Sequence, residues 1–245
     1  MKTSKTPLFF ALSASLICWL LPFGRLIAYP FTLFVTLVHE GGHVLMALAT
    51  GSPVFSMAIA PDASGLTLTA PNSTLSGILI ANAGYLSATA YGTLVLWLAN
   101  GHADCRKILK FSAILVSFLV LAFTLFVKDW FAAIWANGLN INLGMKLFTI
   151  LAGLLIALSL WLISKAKNQA FPDFIANFLG LECIFNGLGD IKTVLALSVY
   201  STSHSDAQNL AELTGIPSVV WALGWGLVSL WVIALTFKAV LKNRS

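Results

Sequence analysis

The sequence predicts an all-α polytopic membrane protein with six or seven transmembrane helices and one small β-hairpin after the second apolar segment. Three observations lead there. Hydrophobic residues fill 58% of 245 positions and charged residues 9%, with a mean hydropathy of +0.90. A water-soluble domain carries about 25% charged residues, so hydrocarbon is the solvent that suits this chain. The apolar residues gather in runs of roughly 20, the length that crosses a hydrocarbon layer of about 30 Å. The net charge of +5 sits in short clusters between those runs, such as Arg106, Lys107 and Lys110, or Lys165 and Lys167. That is the positive-inside pattern of membrane loops and not a nucleic-acid surface. The expected partner is therefore the lipid bilayer, with no nucleic acid, and the expected location is an integral, multi-pass one (the cell membrane in a prokaryote).

The runs fall at 7–24, 26–50, 76–99, 108–127, 145–164, 171–190 and 217–238. The first is marginal, because Pro22 and Gly24 interrupt it and Arg25 follows. Lys2 and Lys5 precede it as in a signal peptide, but no small-residue cleavage site is clear, so a retained helix is expected. The basic clusters place Arg25, 100–107, 165–170 and the C-terminal segment on the cytoplasmic side. Trp19, Trp97, Trp130, Trp161 and Trp221 lie near the ends of runs, as an interfacial aromatic belt would. Cys18, Cys105 and Cys183 are widely spaced and odd in number, which excludes a disulfide framework.

Two connections are more than plain loops. Residues 54–60 and 66–70 alternate partly around Pro61-Asp62-Ala63-Ser64-Gly65, which reads as a β-hairpin over about 54–70. The stretch 191–216 is the most polar long connection. With no internal repeat, residues 1–245 read as one transmembrane domain.

The chemistry lies in His39-Glu40-Gly41-Gly42-His43, inside the run 26–50. Residues four apart share one face of a helix, so two imidazoles can bind one zinc ion. Glu40, rotated about 100° from His39, can reach a zinc-bound water as general base. No charge occurs from Leu26 to Val38 or from Val44 to Thr50. Ionisable groups inside such a segment are costly and mark function. Gly41 and Gly42 let another backbone approach, most simply a packing helix. Gly84, Ala88 and Gly92 form a second small-residue face, read as packing against the motif helix.

A catalytic zinc takes three protein ligands and leaves one position open. His102 stands in a basic loop too far along the membrane normal, and Asp62 reads as a turn residue. The region 182–206 holds the remaining candidates: Glu182, Asp190, His204 and Asp206. Glu182, Asn186 and Asp190 make an i, i+4, i+8 stripe on an apolar helix, which should face the interior. Glu182 and Asp190 stand about 12 Å apart along it, so they do not share one ion. Asp190 is the favoured ligand, with Asp206 or His204 as alternatives. Asn186 suits orienting substrate or orienting a zinc ligand, and equally a plain interhelical hydrogen bond.

With these residues in view, the sequence resembles the site-2 protease class of intramembrane metalloproteases, in particular its M50B-like branch. The phrase Leu37-Val38-His39-Glu40-Gly41-Gly42-His43 carries the resemblance, with the hairpin after that helix, Asn82-Ala83-Gly84-Tyr85, Asn186-Gly187-Leu188-Gly189-Asp190 and Ser205-Asp206-Ala207. It implies a membrane-embedded Zn2+ site that hydrolyses peptide bonds of membrane-embedded or membrane-adjacent protein substrates. It also implies an edge strand, here residues 54–60, able to pair with an unwound substrate. Better-known members place the third ligand in a Leu-Asp-Gly phrase after an Asn-Pro stretch; here Gly189-Asp190-Ile191 stands instead, and no Pro follows Asn186. Two other readings use the same residues: a catalytically silent relative that binds or escorts membrane partners, and a transporter with a metal site. The polar residues cluster on two helices and two connections and do not line a conduit.

Overall fold

The computed structural model describes residues 6–125, 143–200 and 205–242; Trp130 and His204 lie outside them. The helices are α1 (Thr6–Leu20), α2 (Gly24–Ala49), α3 (Thr74–Ala99), α4 (Cys105–Val120, extended by a π-helical turn Leu121–Leu125), α5 (Leu143–Ile163), α6 (Ala170–Tyr200), α7 (Asp206–Thr214) and α8 (Ser218–Lys242). A hairpin of β1 (Val54–Ile59) and β2 (Gly65–Thr69) joins α2 to α3.

Among the described residues, six helices are long and apolar enough to cross a membrane: α2, α3, α4 with its π turn, α5, α6 and α8. Helix α1 is apolar but has only 15 residues, short of the roughly 20 a crossing takes. The chain turns at 21–23, where Pro22 stands, before α2 begins. Pro30 sits inside α2 without ending it, as membrane helices allow when neighbours satisfy the freed carbonyl. Large apolar side chains remain on the outside: Leu20, Leu26, Leu227 and Trp231 are 81, 74, 70 and 65% exposed. In water such a surface would drive association; facing lipid it costs nothing.

Helices α2, α3 and α6 pack on one another at the centre, with α1 on α6, α4 on α5, and α8 against α3 and α6. Phe34 and Leu37 of α2, Leu109 and Leu119 of α4 and Leu179 of α6 are core members. Apolar burial gains little between helices in lipid, so close packing and polar contacts lock the bundle. Asn100 Nδ2 donates to Asn177 Oδ1 at 2.7 Å, linking α3 to α6. Trp225 Nε1 donates to Asn82 Oδ1 at 2.7 Å, and Thr89 and Ser229 share a 3.0 Å bond, linking α3 to α8.

The hairpin is antiparallel, with Ala58 opposite Leu66 and Ser56 opposite Leu68, and a register shift between Val54 and Ser56. Asp62 Oδ1 closes the turn by accepting from Ser64 N and Oγ at 2.9 and 2.7 Å, and these donors hold its carboxyl below the usual carboxylate range. The turn is tied to α2: Tyr29 Oη donates to Pro61 O at 2.6 Å and Thr36 Oγ1 to Ala63 O at 2.9 Å.

The hairpin corrects one expectation. The strand free to receive a partner is not 54–60. On the outer side of β1, Ile59 N donates to Thr149 Oγ1 at 2.8 Å, and Met57 O accepts from Thr124 Oγ1 at 2.6 Å. Helix α5 and the π turn therefore occupy that edge. With Ala60 N bonded to Ser64 O and Ala70 N to Pro53 O, Leu66 and Leu68 face β1 in the ladder. The main-chain groups of Gly65, Thr67 and Thr69 face outward from β2.

The connection 191–216 also differs from expectation. Helix α6 continues to Tyr200, 31 residues in all, and α7 then fills 206–214. Ser205 caps α7 by accepting from Gln208 N. Gly215 ends it in the left-handed region, at φ 72°.

Candidate metal centre

Helix α2 runs unbroken through the motif, so the i, i+4 spacing places His39 and His43 on one face. The two glycines between them are sites of close approach. A Cβ on Gly42 would stand 2.3 Å from Ser87 Oγ and 2.7 Å from Ala83 O of α3, and one on Gly41 would stand 2.6 Å from Leu119 of α4. Gly84 does more than pack helices, contrary to its reading as a plain packing position. A Cβ there would lie 2.4 Å from Nε2 of both His39 and His43. The imidazole nitrogens occupy space that any other residue would fill.

Three donor atoms meet at this point. His39 Nε2 and His43 Nε2 are 3.2 Å apart, and Asp206 Oδ2 is 3.2 Å from each. Tetrahedral zinc with bonds of about 2.0–2.1 Å requires ligand atoms roughly 3.3–3.4 Å apart. The triangle has that size within about 0.2 Å, and three donors leave one tetrahedral position open. Two imidazoles and a carboxylate are also a donor set that zinc accepts. The residues present fit the ion.

Neighbouring groups hold the ligands in place. His43 Nδ1 lies 2.7 Å from Ile80 O; donation to that carbonyl places the proton on Nδ1 and turns the Nε2 lone pair toward the centre. His39 meets the edge of Tyr85, ring centroids 4.7 Å apart at 87°, and Tyr85 stacks on Trp225 at 4.6 Å and 17°. Asp206 is the first residue of α7, where the helix dipole favours a negative group. Burial works against its ionisation, but the imidazoles of His43 and His39 outweigh burial and hold its carboxyl well below the usual range.

Glu40 is nearly buried, at 5% exposure. Its Oε2 accepts from Thr67 Oγ1 of β2 at 2.6 Å, and its carboxylate lies where a Cβ on Gly65 would stand. A cavity of about 970 Å³ opens onto His39, Glu40, His43 and Asp206, walled by α2, all of β2, Tyr85 of α3, and α6 and α7.

The structure distributes the anticipated residues unevenly. It brings together His39, His43 and Asp206, the one metal-competent group of three or more among the described residues. Asp190, favoured from the sequence, lines the same cavity but gives no atom to that group. The reason is that α6 does not unwind around Gly187 and Gly189: Asp190 stays exposed on a continuous helix, whereas Asp206 projects from the start of a new one. Asn186 also lines the cavity, and its amide donates within its own helix, to Glu182 O at 2.8 Å and Glu182 Oε2 at 3.1 Å. Glu182 is fully buried. His102 stacks on Trp97 in the loop before α4. Sequence reasoning missed Thr67, Gly65 and the contact of Gly84 with the imidazoles. The alternation Gly65-Thr67-Thr69 against Leu66-Leu68 is the signal that separates a polar strand face from an apolar one.

A family model, Peptidase M50B-like, matches residues 9–236. No curated protein and no solved structure matches the chain.

Proposed function

Because the chain belongs to the Peptidase M50B-like family, we propose that it is an intramembrane zinc endopeptidase that hydrolyses peptide bonds of membrane-embedded or membrane-adjacent proteins. The observation that carries this reading is the triangle of 3.2 Å sides made by His39 Nε2, His43 Nε2 and Asp206 Oδ2, with Glu40 on the adjoining face of the same helical turn. His39, His43 and Asp206 hold the ion. Bound zinc supplies a Lewis acid that brings the pKa of water toward 7 and polarises a carbonyl.

The chain's own residues do the rest. Glu40 takes the proton of the attacking water as its oxygen bonds to the peptide carbonyl carbon. It then delivers that proton to the departing amine as the C–N bond breaks. The amide of Ile80 accepts from His43 through its carbonyl and keeps that ligand in one tautomer. The open edge of β2 offers the main-chain groups of Gly65, Thr67 and Thr69 to an unwound substrate, which a helical peptide could not use because its own hydrogen bonds are closed.

The test compares purified wild type with Glu40→Gln for bound zinc and for cleavage of membrane peptides. The expected result is equal zinc and loss of cleavage by at least about a hundredfold, the range for loss of a general base. Equal cleavage by the two proteins would remove Glu40 from this role, and zinc without cleavage in the wild type would favour a catalytically silent binding protein.

A further inference from the structure

We infer that Thr67 is a positioning residue for Glu40, fixing the base from the same strand that receives the substrate; the inference rests on the peptidase reading above. Glu40 projects from α2 into a slot on β2. The slot is floored by Gly65, where a Cβ would stand 2.3 Å from Glu40 Oε1 and 2.7 Å from Cδ. It is closed two residues later by Thr67, whose hydroxyl donates to Oε2 at 2.6 Å. Among the described residues this is the hydrogen bond that the carboxylate receives. A carboxylate so nearly buried needs a donor, and a short bond to a charged acceptor is a strong one.

The bond has two consequences for the reaction. It fixes the rotation of the carboxylate, leaving its remaining lone pairs to meet the proton of the attacking water. It also ties the base to the hairpin. The main-chain N–H and C=O of Thr67 face the open edge of β2, so a peptide added to that edge pairs with the same residue that aims Glu40. Seating of the scissile bond and orientation of the base are then set together, which is what a near-attack geometry requires. Gly65 is needed for the same reason: a side chain there would push on the far end of Glu40, a flexible group that yields without unfolding the bundle.

The experiment uses the full chain in detergent, loaded with zinc, and a panel of fluorophore- and quencher-labelled transmembrane peptides as the probe. Wild type and Glu40→Gln are run first. If the wild type fails to cleave, or both cleave equally, the peptidase reading falls and this inference with it. Where they differ, Thr67→Val keeps the shape of the side chain and removes the donor. Its expected behaviour is wild-type zinc content, KM within about twofold, and kcat lower by roughly ten- to a hundredfold, the value of a hydrogen bond to a charged group. Thr67→Ser, which restores the hydroxyl, recovers most of kcat. Gly65→Ala lowers kcat with zinc retained. A wild-type kcat in Thr67→Val overturns the inference, as does a loss explained by zinc or by KM alone, or one that serine does not rescue.

Discussion

For the proposed zinc site of Asp206 and the two histidines, the expected acid behaviour follows from ligand protonation. Zinc requires neutral imidazole and ionised carboxylate. In the metal-free chain the imidazoles hold Asp206 below the usual carboxylate range. Zinc affinity is expected to fall as pH drops, because protons compete with the metal for the imidazoles; equilibrium dialysis against buffered zinc from pH 8 to pH 5 measures it. A flat profile would contradict histidine ligation. The sign for the metal-free chain is separate. A carboxyl whose folded pKa is depressed adds stability above its unfolded value of about 3.9, and that stability is lost as pH falls toward the folded value. At this scale Gly84 also matters, since both Nε2 atoms occupy the place of its absent side chain.

In the proposed reading, the hairpin is the element that presents a peptide to the three-donor cluster. Its β1 edge is closed by Thr124 and Thr149, and its turn is held to α2 by Tyr29 and Thr36. The open edge of β2 faces the cavity. Proline removes one main-chain donor and is tolerated on an edge strand. Thr69→Pro is therefore expected to raise KM several-fold while zinc content and fold stay unchanged. An unaltered KM for a peptide substrate would show that the substrate does not pair there. The same change at Ile59 removes the donor to Thr149 instead, and acts on stability rather than on KM.

The apolar core lies along α2, α3, α4, α5 and α6, and the three donors come from α2 and α7 and rest against α3, so the bundle is expected to hold without the metal. Removing zinc with a chelator is expected to abolish cleavage and leave the helical circular dichroism intact, unlike small zinc domains that unfold without metal; loss of helix on chelation would contradict this. Much of this molecule was legible in the sequence. Apolar run length predicted six or seven membrane helices, six of which have membrane length among the described residues, and alternation around Pro61-Asp62-Ala63-Ser64-Gly65 predicted the hairpin, because both signals are local. The third member of the donor triangle was not legible. Asp190 and Asp206 are both carboxylates near the end of α6, and which one reaches His39 depends on where that helix stops and α7 starts, a tertiary outcome with no local signature. The edge of the hairpin that stays open was equally hidden, since Thr124 and Thr149 close the other from distant helices.

The central claim is that His39, His43 and Asp206 form one zinc site. Zinc per chain, measured by elemental mass spectrometry on purified wild type, Asp206→Ala and Asp190→Ala, tests it most directly. The account predicts about one zinc in the wild type and in Asp190→Ala, as for a site with three protein ligands, and near-complete loss in Asp206→Ala. Retention in Asp206→Ala with loss in Asp190→Ala would contradict it.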